Sequence, residues 1–363
     1  MKILYIAPSF IPSRSANSVH VMKMCNAIGN IGHDVTLITR GVDKTISDYD
    51  YYDVDKNFRI LKINFINIRF ISSIIFLFFI LFKIIQMKPE LIYTRFRFSL
   101  ILNFLLKTPI IFEDHSPPNG IYKKIILKAL KKNVIKIIVI SSALKKIYLE
   151  SLPGINSNKI IVAHDGANPI NISSNSTIDT IRLNKKLLNI GYIGHLHKGR
   201  GIDIILGIAE KISTHDFHII GGETKDINYW KDLNKQKNVI FHGYKINSEI
   251  SKLLIQFDIL LAPYQYKVFI NSGLNTASWM SPLKVFEYMS AGKAIVSSKL
   301  DVLEEVLSHN SNALMVKPDN LNDWVEAVKN LIKDENLREK LGNQALKDFK
   351  NKFTWEKRAL YIL

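Results

Sequence analysis

The sequence predicts an α/β protein made of two doubly wound, Rossmann-like domains, and three observations carry that prediction. Apolar strand-like runs alternate with helical stretches through both halves, the βαβ rhythm of parallel sheets. A polar Asn/Ser stretch, Asn168–Thr180, interrupts the rhythm, which then starts afresh. The length of 363 residues corresponds to two domains of roughly 150 residues, each large enough to bury a core.

In the first half, Lys2–Ala7 is an apolar strand, followed by a Pro/Ser loop over Pro8–Ser18 and a helix to about Gly29. Val35–Thr39, Phe58–Asn64, Leu91–Thr94, Pro109–Glu113 and Ile137–Ser141 read as the next strands, with Gly41–Asn57 as a polar excursion. In the second half, Leu188–Ile193 leads into the Gly-rich segment Gly194–Gly201. Phe217–Ile220, Val239–Phe241, Asp258–Ala262, Ala294–Ser298 and Ala313–Val316 follow with helices between them. In such folds ligands bind beyond the carboxyl ends of the strands, so the loops that follow them are the candidate site.

Composition narrows the function. Hydrophobic residues make up 47% of the chain, too many for disorder. The single cysteine, Cys25, excludes an internal disulfide framework and a cysteine-based zinc site. The N-terminus, MKILYIAPSF, reads as a short buried strand without a secretory h-region, which predicts a cytoplasmic location. Net charge is +17, and residues 56–146 hold +14 of it, with 17 Lys/Arg against three acids. That concentration predicts an anionic partner, a membrane surface or nucleic acid. The uncharged apolar run Phe70–Phe82 is too short for a span, which needs about 20 residues. Gly120–Lys132 sets five lysines beside an Ile/Leu stripe, the pattern of a helix lying on anionic lipid, or of a solvated lysine face on a core helix. Together these segments predict peripheral contact with the inner face of the cell membrane. No aromatic-rich basic module argues for nucleic acid.

The strongest chemical signal is the segment Trp279–Val296. Ser281 reads as an N-cap and Pro282 as the first helical residue. A helix N-terminus suits a phosphate, Lys284 adds a full charge there, and Glu287 one turn on can accept hydrogen bonds from two vicinal hydroxyls. Phosphate beside a diol describes a nucleoside diphosphate with its ribose. The same residues also fit a plain amphipathic helix with an i,i+3 Lys–Glu pair. Gly194-His195-Leu-His-Lys-Gly-Arg200-Gly201 offers a second cationic loop, in which Arg200 brings a guanidinium fork suited to phosphate oxygens. Two Asp-x-Asp patterns, at Asp48–Asp50 and Asp53–Asp55, fall in a Tyr-rich polar stretch rather than at a strand end. No His pair has zinc-helix spacing. No metal is expected.

These motifs resemble, in order along nearly the whole chain, those of retaining GT-B glycosyltransferases of family 4. Glu287 matches the second, ribose-binding member of that family's Glu-x7-Glu pair. Trp279 stands at the first, giving the Ser-Pro-Leu-Lys variant. The resemblance implies two Rossmann-like domains facing each other across a cleft. It implies an N-terminal acceptor-side domain over 1–170, a nucleotide-sugar domain over 186–345, and a helix over 346–363 that crosses back to the first. It makes Gly194, His195, Gly222, Ser281 and Glu287 donor-binding, with Arg200 and Lys284 stabilising the departing diphosphate. His115, in Glu113-Asp-His115, is implied to face the donor sugar, and Ser15, Asn17 and Arg95 to lie on the acceptor side. The implied partners are a nucleotide-sugar donor and a glycan or polyprenol-linked acceptor in polysaccharide biosynthesis, with no cofactor. The alternative of the same fold is a nucleotide-sugar epimerase, which needs no acceptor.

Overall fold

The computed structural model describes residues 1–42, 45–63, 69–170, 183, 186–270 and 273–363. The linker expected over Asn168–Thr180 lies mostly outside the described residues. The chain divides into two compact units, Met1–His164 with Trp355–Leu363, and Asp165–Thr354.

The first unit contains β1 (Lys2–Phe10), α1 (Ala16–Asn30), β2 (Asp34–Arg40), α2 (Asp48–Tyr52), β3 (Arg59–Ile63), α3 (Arg69–Met87) and β4 (Leu91–Thr94). A 3₁₀ segment (Arg97–Phe104), β5 (Ile110–Asp114), α4 (Gly120–Leu130), β6 (Val134–Val139), α5 (Ser142–Ser151) and β7 (Ile160–Val162) follow. Its strands form one parallel sheet in the order β3-β2-β1-β4-β5-β6-β7, so the strand order reverses between β1 and β4. Both faces of the sheet are covered, and β1 accordingly reads as a continuous apolar run with Ile3, Leu4, Tyr5, Ile6 and Ala7 fully buried.

β1 runs to Phe10, past the Ala7 expected from sequence, although Pro8 carries no N–H. Ladder pairing with β4 stops at Ile6↔Thr94, and the register with β2 breaks between Ile6 and Phe10. Pro8 therefore sits in the irregular stretch, where no ladder donor is demanded. The polar excursion over 41–57 contains the short helix α2, and β7, three residues long, carried too little pattern to be read.

The second unit holds β8 (Asn189–Ile193), α6 (Ile202–Lys211), β9 (Asp216–Ile220), α7 (Thr224–Leu233), β10 (Val239–Gly243), α8 (Asn247–Leu254) and β11 (Ile259–Ala262). It continues through α9 (Leu283–Ala291), β12 (Ala294–Ser298), α10 (Asp301–Glu304), β13 (Leu314–Val316), α11 (Leu321–Lys333) and α12 (Glu335–Lys352). The strands order as β10-β9-β8-β11-β12-β13, all parallel, with the reversal between β8 and β11. One core of Ile190, Tyr192, Ile205, Phe217, Leu261, Val296 and Trp324 packs the sheet against α6 and α11. The last helix, α13 (Trp355–Ile362), returns to the first unit.

Candidate active site

In the second unit the site grows from the strand ends at the reversal. After β8 the backbone N–H of Gly194 donates to the Ile220 carbonyl at 2.9 Å, and Gly221 N–H donates to the Gly243 carbonyl at 2.7 Å. The loops after β8, β9 and β10 are thus laced together by backbone. Gly221 has φ +111°, and a Cβ there would stand 2.2 Å from the Gly194 carbonyl oxygen, so the approach requires glycine. Gly222 abuts Leu196 in the same way, a Cβ falling 2.6 Å from Leu196 Cδ1.

Lys284, the second residue of α9, projects beneath this platform. It is 8% exposed. Its Nζ lies 3.8 Å from the centre of the Tyr192 ring and 4.7 Å from that of Tyr264. A Cβ on Gly194 would come within 2.9 Å of that same Nζ. Among the described residues Nζ has no hydrogen-bond partner. Arg200 also stands over Tyr264, its guanidinium carbon 5.3 Å from the ring centre, with Nε buried and unpartnered among the described residues. Burial first, and the Arg200 charge second, push the Lys284 ammonium well below its ordinary pKa, while Glu287 pulls the other way. Burial, then Arg200, His197 and Lys284, hold His195 down at about 4. His195 is therefore a neutral imidazole at pH 7, stacked on His197 at 5.1 Å.

The start of α9 differs from the sequence expectation. Pro282, with φ −79° and ψ 114°, is itself the N-cap, and no side chain caps the helix. Ser281 is outside the helix, and its Oγ accepts the N–H of Asp165 at 3.0 Å. The extended ψ at Pro282 moves the helix start one residue on, so the hydroxyl cannot reach back to it. Among the described residues, the first turn of α9 has no side-chain cap and no protein anion is hydrogen-bonded to Lys284 Nζ or Arg200 Nε. That arrangement can hold phosphate oxygens through charge-assisted bonds.

In the first unit, the reversal lies between β1 and β4, and the residues expected on the acceptor side gather there. Ser15 caps α1, its side chain accepting the N–H of Ser18. Asn17 Nδ2 donates to Ser9 Oγ at 2.7 Å, and its carbonyl receives Arg95 NH1 at 3.5 Å. His115 follows the adjacent strand β5, close enough to Arg95 for that charge to act on it. Burial first, then Arg95, lower the His115 pKa to about 4.

Behind His115 stands a feature that the sequence did not disclose. Glu113 is fully buried, and its Oε1 lies 2.5 Å from His115 Nε2, 2.9 Å from His20 Nε2 and 2.9 Å from the NH2 of Arg358. Tyr93 donates its hydroxyl to Oε2. Although burial opposes it, Arg358 leads His20 and His115 in holding the Glu113 carboxyl well below the usual range. The next residue, Asp114, is clamped by Arg97 through two bonds of 2.9 Å and by the Tyr148 hydroxyl. His20, Glu113 and His115 offer three metal-ligand atoms within 4.8 Å of one another. The shared carboxylate oxygen already carries the Arg358 guanidinium, however, so a metal ion would have to sit beside a fixed positive charge.

The sequence-selected residues thus fall into two groups. Gly194, His195, Arg200, Gly222, Lys284 and Glu287 surround the strand ends of the second unit, with Ser281 turned to Asp165. Ser15, Asn17, Arg95 and His115 share one sheet end of the first. The aromatic partners Tyr192 and Tyr264, and the quartet His20, Tyr93, Glu113 and Arg358, were missed. Only Glu113, within the Glu113-Asp-His115 motif, carried any signal.

Two Rossmann-like domains, one with cationic, glycine-laced loops at its switch point, fit the GT-B architecture. Comparison with known proteins agrees. Residues 188–334 match the family model described as glycosyl transferases group 1, and residues 18–169 match that of glycosyltransferase family 4. Two glycosyltransferases of Methanocaldococcus jannaschii are each 26% identical, over 234 residues (61% of this chain, 57% of the relative) and over 242 residues (66% and 61%). The chain therefore spans about three fifths of the length of the curated relatives it matches. Among solved structures, Anabaena HepE in complex with UDP aligns with TM-score 0.73 at 17% identity, covering 100% of this chain and 98% of that one. Sucrose-phosphate synthase of Thermosynechococcus elongatus aligns with TM-score 0.75 at 16% identity, covering 99% and 96%. These likenesses establish the fold. Sequence and architecture together give the chain a GT-B fold whose two halves each match a glycosyltransferase family model.

Proposed function

We propose that this chain transfers a sugar, with retention of configuration, from a nucleoside-diphosphate donor to a glycan or lipid-linked acceptor in cell-surface polysaccharide synthesis. The observation that carries the reading is the buried, unpartnered Lys284 ammonium at an uncapped helix N-terminus beside Gly194 and Arg200. The UDP held by the HepE structure supports a nucleotide ligand of this kind. As the bond from the anomeric carbon to the diphosphate breaks, negative charge grows on the β-phosphate. Arg200, Lys284 and the first turn of α9 stabilise it electrostatically. The acceptor hydroxyl bonds to the anomeric carbon on the same face and gives its proton to the leaving phosphate oxygen, so the reading invokes no separate base, metal or cofactor. Glu287 takes the ribose hydroxyls, and His115 hydrogen-bonds the sugar. The names of the matched families and relatives do not favour the epimerase alternative, and an acceptor-dependent product discriminates the two.

The test is calorimetric titration of UDP and GDP, with EDTA present, into the wild type and Lys284→Ala. Micromolar binding of one nucleotide, lost in the variant, is expected. Binding of neither removes the donor site.

A membrane-borne acceptor is part of the reading. α3 buries Ser72, Phe76, Ile80 and Ile84 on one face and presents Ile74, Phe78, Phe82 and Ile85 on the other, with Phe78 68% exposed. The ring series Phe76–Phe96–Phe98–Tyr122, at 5.3, 5.6 and 5.4 Å, ties α3 through the 3₁₀ segment to α4. Leu105, Ile121 and exposed Lys107, Lys124, Lys128 and Lys131 extend the patch. Apolar side chains ringed by lysines suit an anionic bilayer surface. Among the described residues no helix is long and apolar enough to cross a membrane. Sedimentation with phosphatidylglycerol vesicles is expected for the wild type and lost in Phe78→Glu/Phe82→Glu. Equal sedimentation of both rejects the patch.

A further inference from the structure

The carboxylate cluster behind His115 has a chemical consequence. A carboxylate flanked by Arg358 can only accept, so the close contact between His115 Nε2 and Glu113 Oε1, 2.5 Å, puts the proton on Nε2 of a neutral ring. Nδ1 is then left with the lone pair. The ring is also fixed in space. His20 packs edge-on against it with centroids 4.8 Å apart, and Trp355 of α13 packs edge-on against His20 at 5.0 Å. Arg358, on the same helix as Trp355, anchors the carboxylate and donates to the Ala163 and His164 carbonyls at 3.2 and 2.8 Å. Tyr93 fills the second carboxylate oxygen, so Glu113 has no freedom to swing away.

We propose that Glu113, clamped by Arg358 from α13, is the positioning residue that sets the orientation and tautomer of His115, so that the ring meets its ligand only as a hydrogen-bond acceptor. The group recognised at His115 is then a donor, a sugar hydroxyl rather than a carbonyl or ether oxygen. This inference rests on the reading of His115 as the sugar-contacting residue. It goes further by assigning Glu113, Arg358 and Trp355 to the support of that residue, and by giving the hydrogen-bond polarity of the contact.

The test is ¹⁵N NMR of histidine-labelled full-length protein, with His115→Ala used to assign the resonance. The wild type is expected to show a single Nε2–H tautomer across pH 6–8. In Glu113→Gln, whose amide can donate as well as accept, the ring is expected to populate both tautomers, and nucleotide-sugar turnover to fall more than tenfold with KM for the donor changed less than threefold. Because Glu113→Gln removes the carboxylate that faces the buried Arg358 charge, Glu113→Gln/Arg358→Met supplies a variant without either charge. It is expected to regain the melting temperature but not the tautomer or the turnover. An Nδ1–H tautomer in the wild type, or a tautomer unchanged in both variants, overturns the assignment. Undiminished turnover in His115→Ala instead rejects the reading of His115 beneath it, and the NMR pattern still decides whether Glu113 governs the ring.

Discussion

The two ends of the molecule's chemistry treat buried charge in opposite ways. Around α9, Lys284 Nζ and Arg200 Nε lie near tyrosine rings and, among the described residues, have no hydrogen-bonded counter-ion. Behind β5 one carboxylate is surrounded by Arg358, two imidazoles and a phenol, and its charge is answered within the protein. A buried charge lacking a partner costs stability that only a ligand can return, whereas a fully paired one fixes geometry. On the proposed reading, the first pattern is where an anion binds and the second where a neighbouring group is held.

The contrast is sharpest in stability. Arg358→Met strands the Glu113 carboxylate in the interior and is expected to cost about 3–5 kcal/mol, read by urea unfolding. Lys284→Met removes a buried ammonium with no partner to strand, and its melting temperature should stay level or rise. The same variant should weaken nucleotide binding about 100-fold, the worth of charge-assisted hydrogen bonds. If Lys284→Met is instead the destabilised one, the distinction fails.

The next effect is in pH. The Glu113 carboxyl titrates lower in the folded protein than in the unfolded chain, so its contribution is complete above the ordinary carboxylate range and is lost as pH falls through the lower folded value. Acid unfolding of the wild type should therefore take up a proton that Glu113→Gln/Arg358→Met does not. Lys284 has the reverse sense. Its ammonium is weakened in the empty site, and a bound diphosphate restores it. Nucleotide affinity should fall as pH rises through the lysine's value in the free protein. Titrations in two buffers of different ionisation enthalpy should show proton uptake on binding, and equal heats in both would remove this half of the comparison.

The smallest expected effect concerns Ser281. Its hydroxyl serves the Asp165 backbone rather than α9, so Ser281→Ala should cost about 1 kcal/mol of stability and leave UDP affinity within about twofold. A tenfold loss of affinity would return Ser281 to the phosphate site.

What was legible in the sequence follows the same division. β4 reads as Leu91–Thr94 in both sequence and structure, because a fully buried parallel strand is a bare apolar run between Pro89 and a charged loop. Lys284, Glu287, Arg200 and the glycines could be picked out because the proposed phosphate site is local, made from a strand end, a turn and the start of a helix. The Ser281 cap was misplaced by one residue, since Ser-Pro spells a cap without fixing ψ of the proline. The Glu113 cluster was not legible. His20, Tyr93 and Arg358 come from α1, β4 and α13, and what unites them is the order of strands in the sheet together with the return of the last helix.

That return sets the order in which the first domain is completed during synthesis. Glu113, His20 and His115 leave the ribosome well before Arg358, which emerges only after the whole intervening unit, Asp165–Thr354. At about 5–20 residues per second the delay from Glu113 is on the order of ten to fifty seconds. Through that interval the Glu113 carboxylate lacks the Arg358 guanidinium that faces it in the folded domain, so the cluster is complete only after the second unit has been made.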